Sequence, residues 1–177
     1  MDNDKRSSYI RFGAMILTSM VAMFGLMYLN TYELSHVQWS ETRFYMTFIM
    51  GAAMAVIMLS FMWGMYNNTR TNIAIYLGSL VVFLIALFLV RSQTTVQDTS
   101  YMRAMIPHHS IAILTSERAE IEDVRVRELA DEIILAQRRE IEEMNWLIAD
   151  IAENGVVTTD AEAEERPVPE FEVSLDD

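Results

Sequence analysis

The residues with the most chemistry in this chain are three histidines and fourteen methionines, in a sequence without cysteine. Two of the histidines are adjacent and follow two methionines and a proline, in Tyr101-Met102-Arg103-Ala104-Met105-Ile106-Pro107-His108-His109. On a helix with Tyr101 at zero, His108, Met105, His109 and Met102 fall at roughly −20°, +40°, +80° and +100°, an arc of ~120°. Neutral imidazoles and thioethers on one face make a soft, low-coordinate site. Such a site suits Cu(I) or Ag(I) better than Zn(II), which prefers four nitrogen, oxygen or thiolate donors. The same spacing also describes plain packing, with one histidine in a core and the other at a surface. Pro107 removes an N–H and disfavours helix at Ile106, so a kink that frees the Arg103 carbonyl is expected there.

Two helices must position these residues. The first is expected from about Thr99 to Ala119, with Asp98 as its N-cap. The second is expected from Val124, capped by Asp123, to Glu153, with Gly155 as the stop. A short turn makes them antiparallel neighbours, a hairpin over 98–154. The second helix carries an apolar stripe of Val126, Ala130, Ile133, Ile141, Met144, Ile148 and Ile151, interrupted by Gln137, whose amide needs a polar partner if buried. Residues 155–177 hold eight acids, one arginine and two prolines. That composition predicts a disordered acidic tail.

The chain ahead of the hairpin is a different material. Apolar runs from Phe12 to Leu29, Tyr45 to Tyr66 and Ile73 to Val90 contain no ionisable residue. Each is long enough to cross ~30 Å of hydrocarbon, so residues 1–90 read as three transmembrane helices in a lipid bilayer, followed by a linker over 91–97. The first run is too long for a signal peptide and lacks a small-x-small cleavage site, so it reads as a retained anchor. Lys5, Arg6 and Arg11 precede the first span and Arg70 lies in the second loop, which places the N-terminus in the cytoplasm and the hairpin outside. Tyr28, Tyr32, Trp39 and Tyr45 would mark the outer interface; Tyr9, Trp63 and Tyr66 would mark the inner one. The second span has a methionine ladder, Met46, Met50, Met54, Met58, Met62 and Met65. It reads either as a soft-metal path or as packing beside the small pair Gly51 and Ala55, and packing is favoured.

Charge divides the chain in the same way. Residues 1–97 carry four acids and six bases, and residues 98–177 carry 21 acids and seven bases. A strongly acidic half with no basic stripe argues against nucleic acid as a partner. No nucleophile, thiolate or paired carboxylate site is apparent, which argues against an enzyme. Glu33-Leu-Ser-His36 has the spacing of a di-iron ligand pair, but a single copy does not make such a site. His36 falls on the same side of the membrane as His108 and His109.

The combination Asp98-x-x-Tyr101-x-x-x-Met105-Ile-Pro-His108-His109-x-x-Ala112, Leu129-Ala130-x-x-Ile133 and Gln137-x-x-Glu140-Ile141-x-x-Met144 resembles a bacterial CopM-like copper-binding family with a ferritin-like helical fold, long filed as a domain of unknown function. The resemblance covers about residues 95–152. It implies Cu(I) or Ag(I) handling at Met105, His108, His109 and Met144, with Met102 an outer candidate and Gln137 and Glu140 orienting an imidazole. Many members double the motif to make four helices. A single copy therefore implies a homodimer or higher oligomer. The resulting expectation is an all-α, membrane-anchored metal-binding protein of the bacterial inner membrane with its hairpin in the periplasm. The alternative is a structural membrane protein whose hairpin self-associates or docks a partner without metal.

Overall fold

The computed structural model describes residues 2–175, with the side chains of 7–175. The side chains of Lys5 and Arg6, and the tail residues Asp176 and Asp177, lie outside it. Among the described residues the chain is all helical. The helices are α1 (Asp2–Leu26), α2 (Glu41–Phe61), α3 (Thr69–Ser92), α4 (Asp98–Arg118), α5 (Val124–Asn154) and α6 (Asp160–Glu165), with short 3-10 turns at Leu34–His36 and Trp63–Met65. The chain divides into two compact units, Met1–Leu29 with Glu41–Val96, and Asn30–Ser40 with Gln97–Asp177.

The first unit holds α1, α2 and α3. Ser7–Leu26, Glu41–Phe61 and Thr69–Ser92 are long and apolar enough to cross a membrane. The second span therefore ends at Phe61, short of the Tyr66 expected. Trp63–Met65 turns instead, and Tyr66 folds back as a buried residue. The central helix α2 packs on both neighbours through Thr47, Gly51, Ala52, Ala55 and Leu59. The ladder methionines flank this seam: Met50, Met54, Met58 and Met62 are half-buried, and Met46 and Met65 are exposed. Gly51 sits at a close approach, because a Cβ there would press on the Met20 thioether, which would have to move aside. At one end Tyr9 and Tyr66 rings pack at 5.0 Å, and Phe12 meets the Tyr66 edge at 5.4 Å. The buried Asn72 amide is satisfied there, accepting from Tyr9 Oη at 2.7 Å and donating to the Tyr66 carbonyl at 2.8 Å.

The second unit is the α4–α5 hairpin with two additions. Its core is Met102, Ile106, Ile113, Ile134, Ile141 and Met144. Burying side chains of this size stabilises the hairpin by about 1.5–3 kcal/mol each. Asp123 caps α5 as expected, accepting from the Arg125 N–H at 2.9 Å, and Gly155 ends it at φ 80°, where a side chain would be strained. Two expectations are corrected. Gln97 is the cap position of α4, and Asp98 sits in its first turn, where a carboxylate complements the helix dipole. The helix continues past Pro107, which is buried together with Ile106. Ile134 replaces Ile133 as the fully inward residue of the α5 stripe, and Val126 is exposed.

The first addition is the segment Asn30–Ser40, which joins α1 to α2 in sequence but packs on α4. The Tyr32 N–H donates to the buried Ser110 Oγ at 2.7 Å, and that oxygen lies 2.9 Å from His36 Nδ1. Tyr32 Oη donates to Glu117 at 3.0 Å, and its ring joins the hairpin core. Tyr32 is thus a partly buried residue packed against the core of this unit. The second addition is the tail. Where disorder is expected, residues 160–165 form α6, closed by a capping box between Thr159 and Glu162, and Arg166 pairs with Asp150 at 3.0 Å. The lone arginine of the acidic tail supplies the anchor that composition alone does not reveal.

Candidate functional site

The buried face of α4 runs through Met102, Ile106, His109 and Ile113, one or two turns apart. Met102 and Met144 are core residues, and Met105 packs against the same cluster, so the structure brings the three thioethers of the two helices into one apolar group. His109 lies at the edge of that face with its side chain 13% exposed. His108 does not join it. It is exposed, and its ring centroid stands 6.2 Å from that of His109, tilted by 59°. The reason is rotational. The buried arc of α4 is centred beyond Met102, so a residue ~120° behind Met102 falls beside the exposed Tyr101.

The environment of His109 is the informative part. Its Nδ1 lies 3.1 Å from Glu140 Oε2, close enough for an ion pair. The contact is nevertheless out of line for a hydrogen bond, which leaves Nδ1 a buried nitrogen without an aligned partner. Gln137 Nε2 donates to the same Glu140 oxygen at 3.4 Å. Gln137 therefore finds its polar partner on its own helix, three residues on. Burial lowers the His109 pKa below the usual histidine value, the Glu140 charge opposes that shift, and His108 adds to it. Burial thus favours the neutral imidazole, which is the form that donates a lone pair to a metal. A carboxylate beside Nδ1 favours the proton there and leaves Nε2 as the donor.

Two features were not legible in the spacing. Ser110 follows His109 and is fully buried, held by the Asn30–Ser40 segment through Tyr32 and His36. His36, noted in the sequence for its spacing from Glu33 and its side of the membrane, thus packs on the back of α4. Its Nε2 is 4.0 Å from Glu33, and among the described residues no three histidine, aspartate and glutamate side chains gather into a metal-holding group.

Comparison with known proteins adds the following. Residues 97–171 match the family model for a domain of unknown function, DUF305. The chain is 32% identical over 142 residues to the "Uncharacterized protein L153" of Acanthamoeba polyphaga mimivirus, a match that covers 76% of this chain and 91% of the relative. That alignment is longer than residues 97–177, so the likeness extends into the apolar half. No solved structure matches the chain.

Proposed function

The chain belongs to the DUF305 family, and from that premise we propose that it is a membrane-anchored Cu(I)- or Ag(I)-binding protein, with Met102, Met105, Met144 and His109 as donors. The observation that carries this reading is His109, its side chain 13% exposed and its Nδ1 3.1 Å from Glu140, at the edge of the helix face that also holds the thioethers. Glu140, itself held by Gln137, orients the imidazole; the methionine cluster excludes water and offers soft donors that do not titrate. The bound ion would supply a stored or transferable soft cation. His108, exposed and off this face, is left out of the donor set.

The finer placement follows the basic residues: N-terminus cytoplasmic, hairpin on the far side of a bacterial inner membrane. The exposed apolar residues Val124, Val126 and Leu129 at the start of α5 favour self-association of the hairpin as a homodimer. Anaerobic titration of the full chain in detergent with Cu(I) against a competing chelator tests the metal reading. Binding is expected in the native protein, to be reduced at least about tenfold in His109→Ala and less in His108→Ala. Equal uptake by native and His109→Ala protein would remove the assignment, and elution as a monomer at high concentration would remove the dimer. A cysteine at the 90%-exposed Leu34 should label with an impermeant reagent in intact cells. Labelling only after lysis would reverse the orientation.

A further inference from the structure

One groove of about 500 Å³ in the hairpin unit is walled on one side by Met102, Met144 and Leu147, and on the other by Val157, Ala163 and Val168 of the tail. The tail thus lies across the opening that leads to two of the thioethers. It is fastened there chiefly by Arg166. Its Nη2 contacts Asp150 Oδ2 at 3.0 Å and donates to the Gly155 carbonyl at 2.9 Å, while Nη1 donates to the Asn154 carbonyl at 3.2 Å. Asp150 is only 12% exposed, and its other oxygen accepts from Asn154 Nδ2 at 2.9 Å. This pair is therefore a specific and largely desolvated fastening.

The rest of the strap is weakly held. Val156 and Val168 are 54% and 42% exposed, and α6 has no buried residue. Farther along, Glu172, Glu142, Glu33 and Arg138 line a shared cleft, and Arg138 donates to the Ser174 carbonyl. An element with few buried contacts and one strong anchor opens locally at far lower cost than the hairpin beneath it.

We propose that residues 156–168 form a lid over the Met102–Met144 pair, latched by Arg166 on Asp150, and that release of this latch admits the soft cation to the sulfurs. This rests on the metal reading above for the cation, but the lid itself is a property of the apo protein and is tested without metal.

The experiment is methionine oxidation by dilute hydrogen peroxide, read residue by residue by mass spectrometry on the full chain in detergent. In Arg166→Ala and Asp150→Asn, oxidation of Met102 and Met144 should accelerate on the order of threefold or more, the scale of one lost ion pair with its hydrogen bonds. Met20, packed at Gly51 in the membrane unit, should oxidise at an unchanged rate. Unchanged rates at Met102 and Met144 in folded variants overturn the lid. Should either variant lose helix, hydrogen exchange of the native protein decides. The amides of Ala163 in α6 and of Arg166 just after it should exchange much faster than that of Ile141, and equally slow exchange overturns the lid. A parallel Ag(I) arm separates the two ideas. Faster oxidation with faster Ag(I) uptake supports both. Faster oxidation with no Ag(I) uptake in any protein leaves the lid standing and overturns its role in admitting a metal.

Discussion

In the membrane unit the buried seam is made of small side chains, Gly51, Ala52 and Ala55, while large apolar residues such as Leu77, Val81, Leu84 and Phe88 remain exposed. In the hairpin unit the pattern is reversed: a few large residues, Ile106, Ile113 and Ile141, are fully buried, and the outer faces are charged. The difference reflects solvent. Lipid tails are as apolar as leucine, so spanning helices gain by close backbone approach and not by hiding leucine. Water makes the burial of isoleucine the main stabilising term. Buried polar groups follow the same division. Asn72 is satisfied at the end of the membrane unit by Tyr9 and the Tyr66 carbonyl, whereas Ser110 lies in the middle of α4 and needs a segment from elsewhere in sequence.

The largest effect should come from Ile141→Asp. A charge at a position 1% exposed between two helices should cost more than about 4 kcal/mol and melt the hairpin. The spanning helices should keep their signal in circular dichroism. Loss of all helix in one transition would show that the two units do not fold separately.

A smaller effect is expected from Gly51→Leu, which overpacks against Met20 and should cost the membrane unit about 1–3 kcal/mol. Gly78→Ala, where an added Cβ meets nothing within 4 Å, is the control and should stabilise slightly through helix propensity. Equal melting of both variants would mean that the close α1–α2 approach is not what holds the seam.

The smallest effect is electrostatic and confined to the hairpin. Burial lowers the His109 pKa, so the folded state binds fewer protons than the unfolded state as pH falls below the ordinary histidine value of ~6.5. The contribution is therefore full above that value and is lost as pH falls toward the lowered native pKa, with a slope of at most about 1.4 kcal/mol per pH unit. Thermal melts between pH 7.5 and 5 should show this loss in native protein and not in His109→Gln. The same shift should let Cu(I) binding persist to lower pH than an ordinary histidine would allow. A midpoint at or above the ordinary value would contradict the burial argument.

Much of this architecture was legible without coordinates. Apolar runs of spanning length, a 3.6-residue period over 124–151, Asp123 before α5 and Gly155 after it are local signals, and each acts through the chain's own backbone. The thioether cluster was legible too, since Met102 and Met105 share a helix face and Met144 lies on the stripe that must meet it. What only tertiary structure decided is which side of each helix has a partner. His108 and His109 differ by one residue and ~100°, and their fates differ because α5 covers one direction and not the other. Ile134 replaced Ile133 for the same reason. The seating of Tyr32 and His36 on Ser110, and of Arg166 on Asp150, joins residues far apart in the chain. Nothing local encodes such contacts, because a polar or charged side chain carries the capacity to pair and only the folded backbone supplies the group it pairs with.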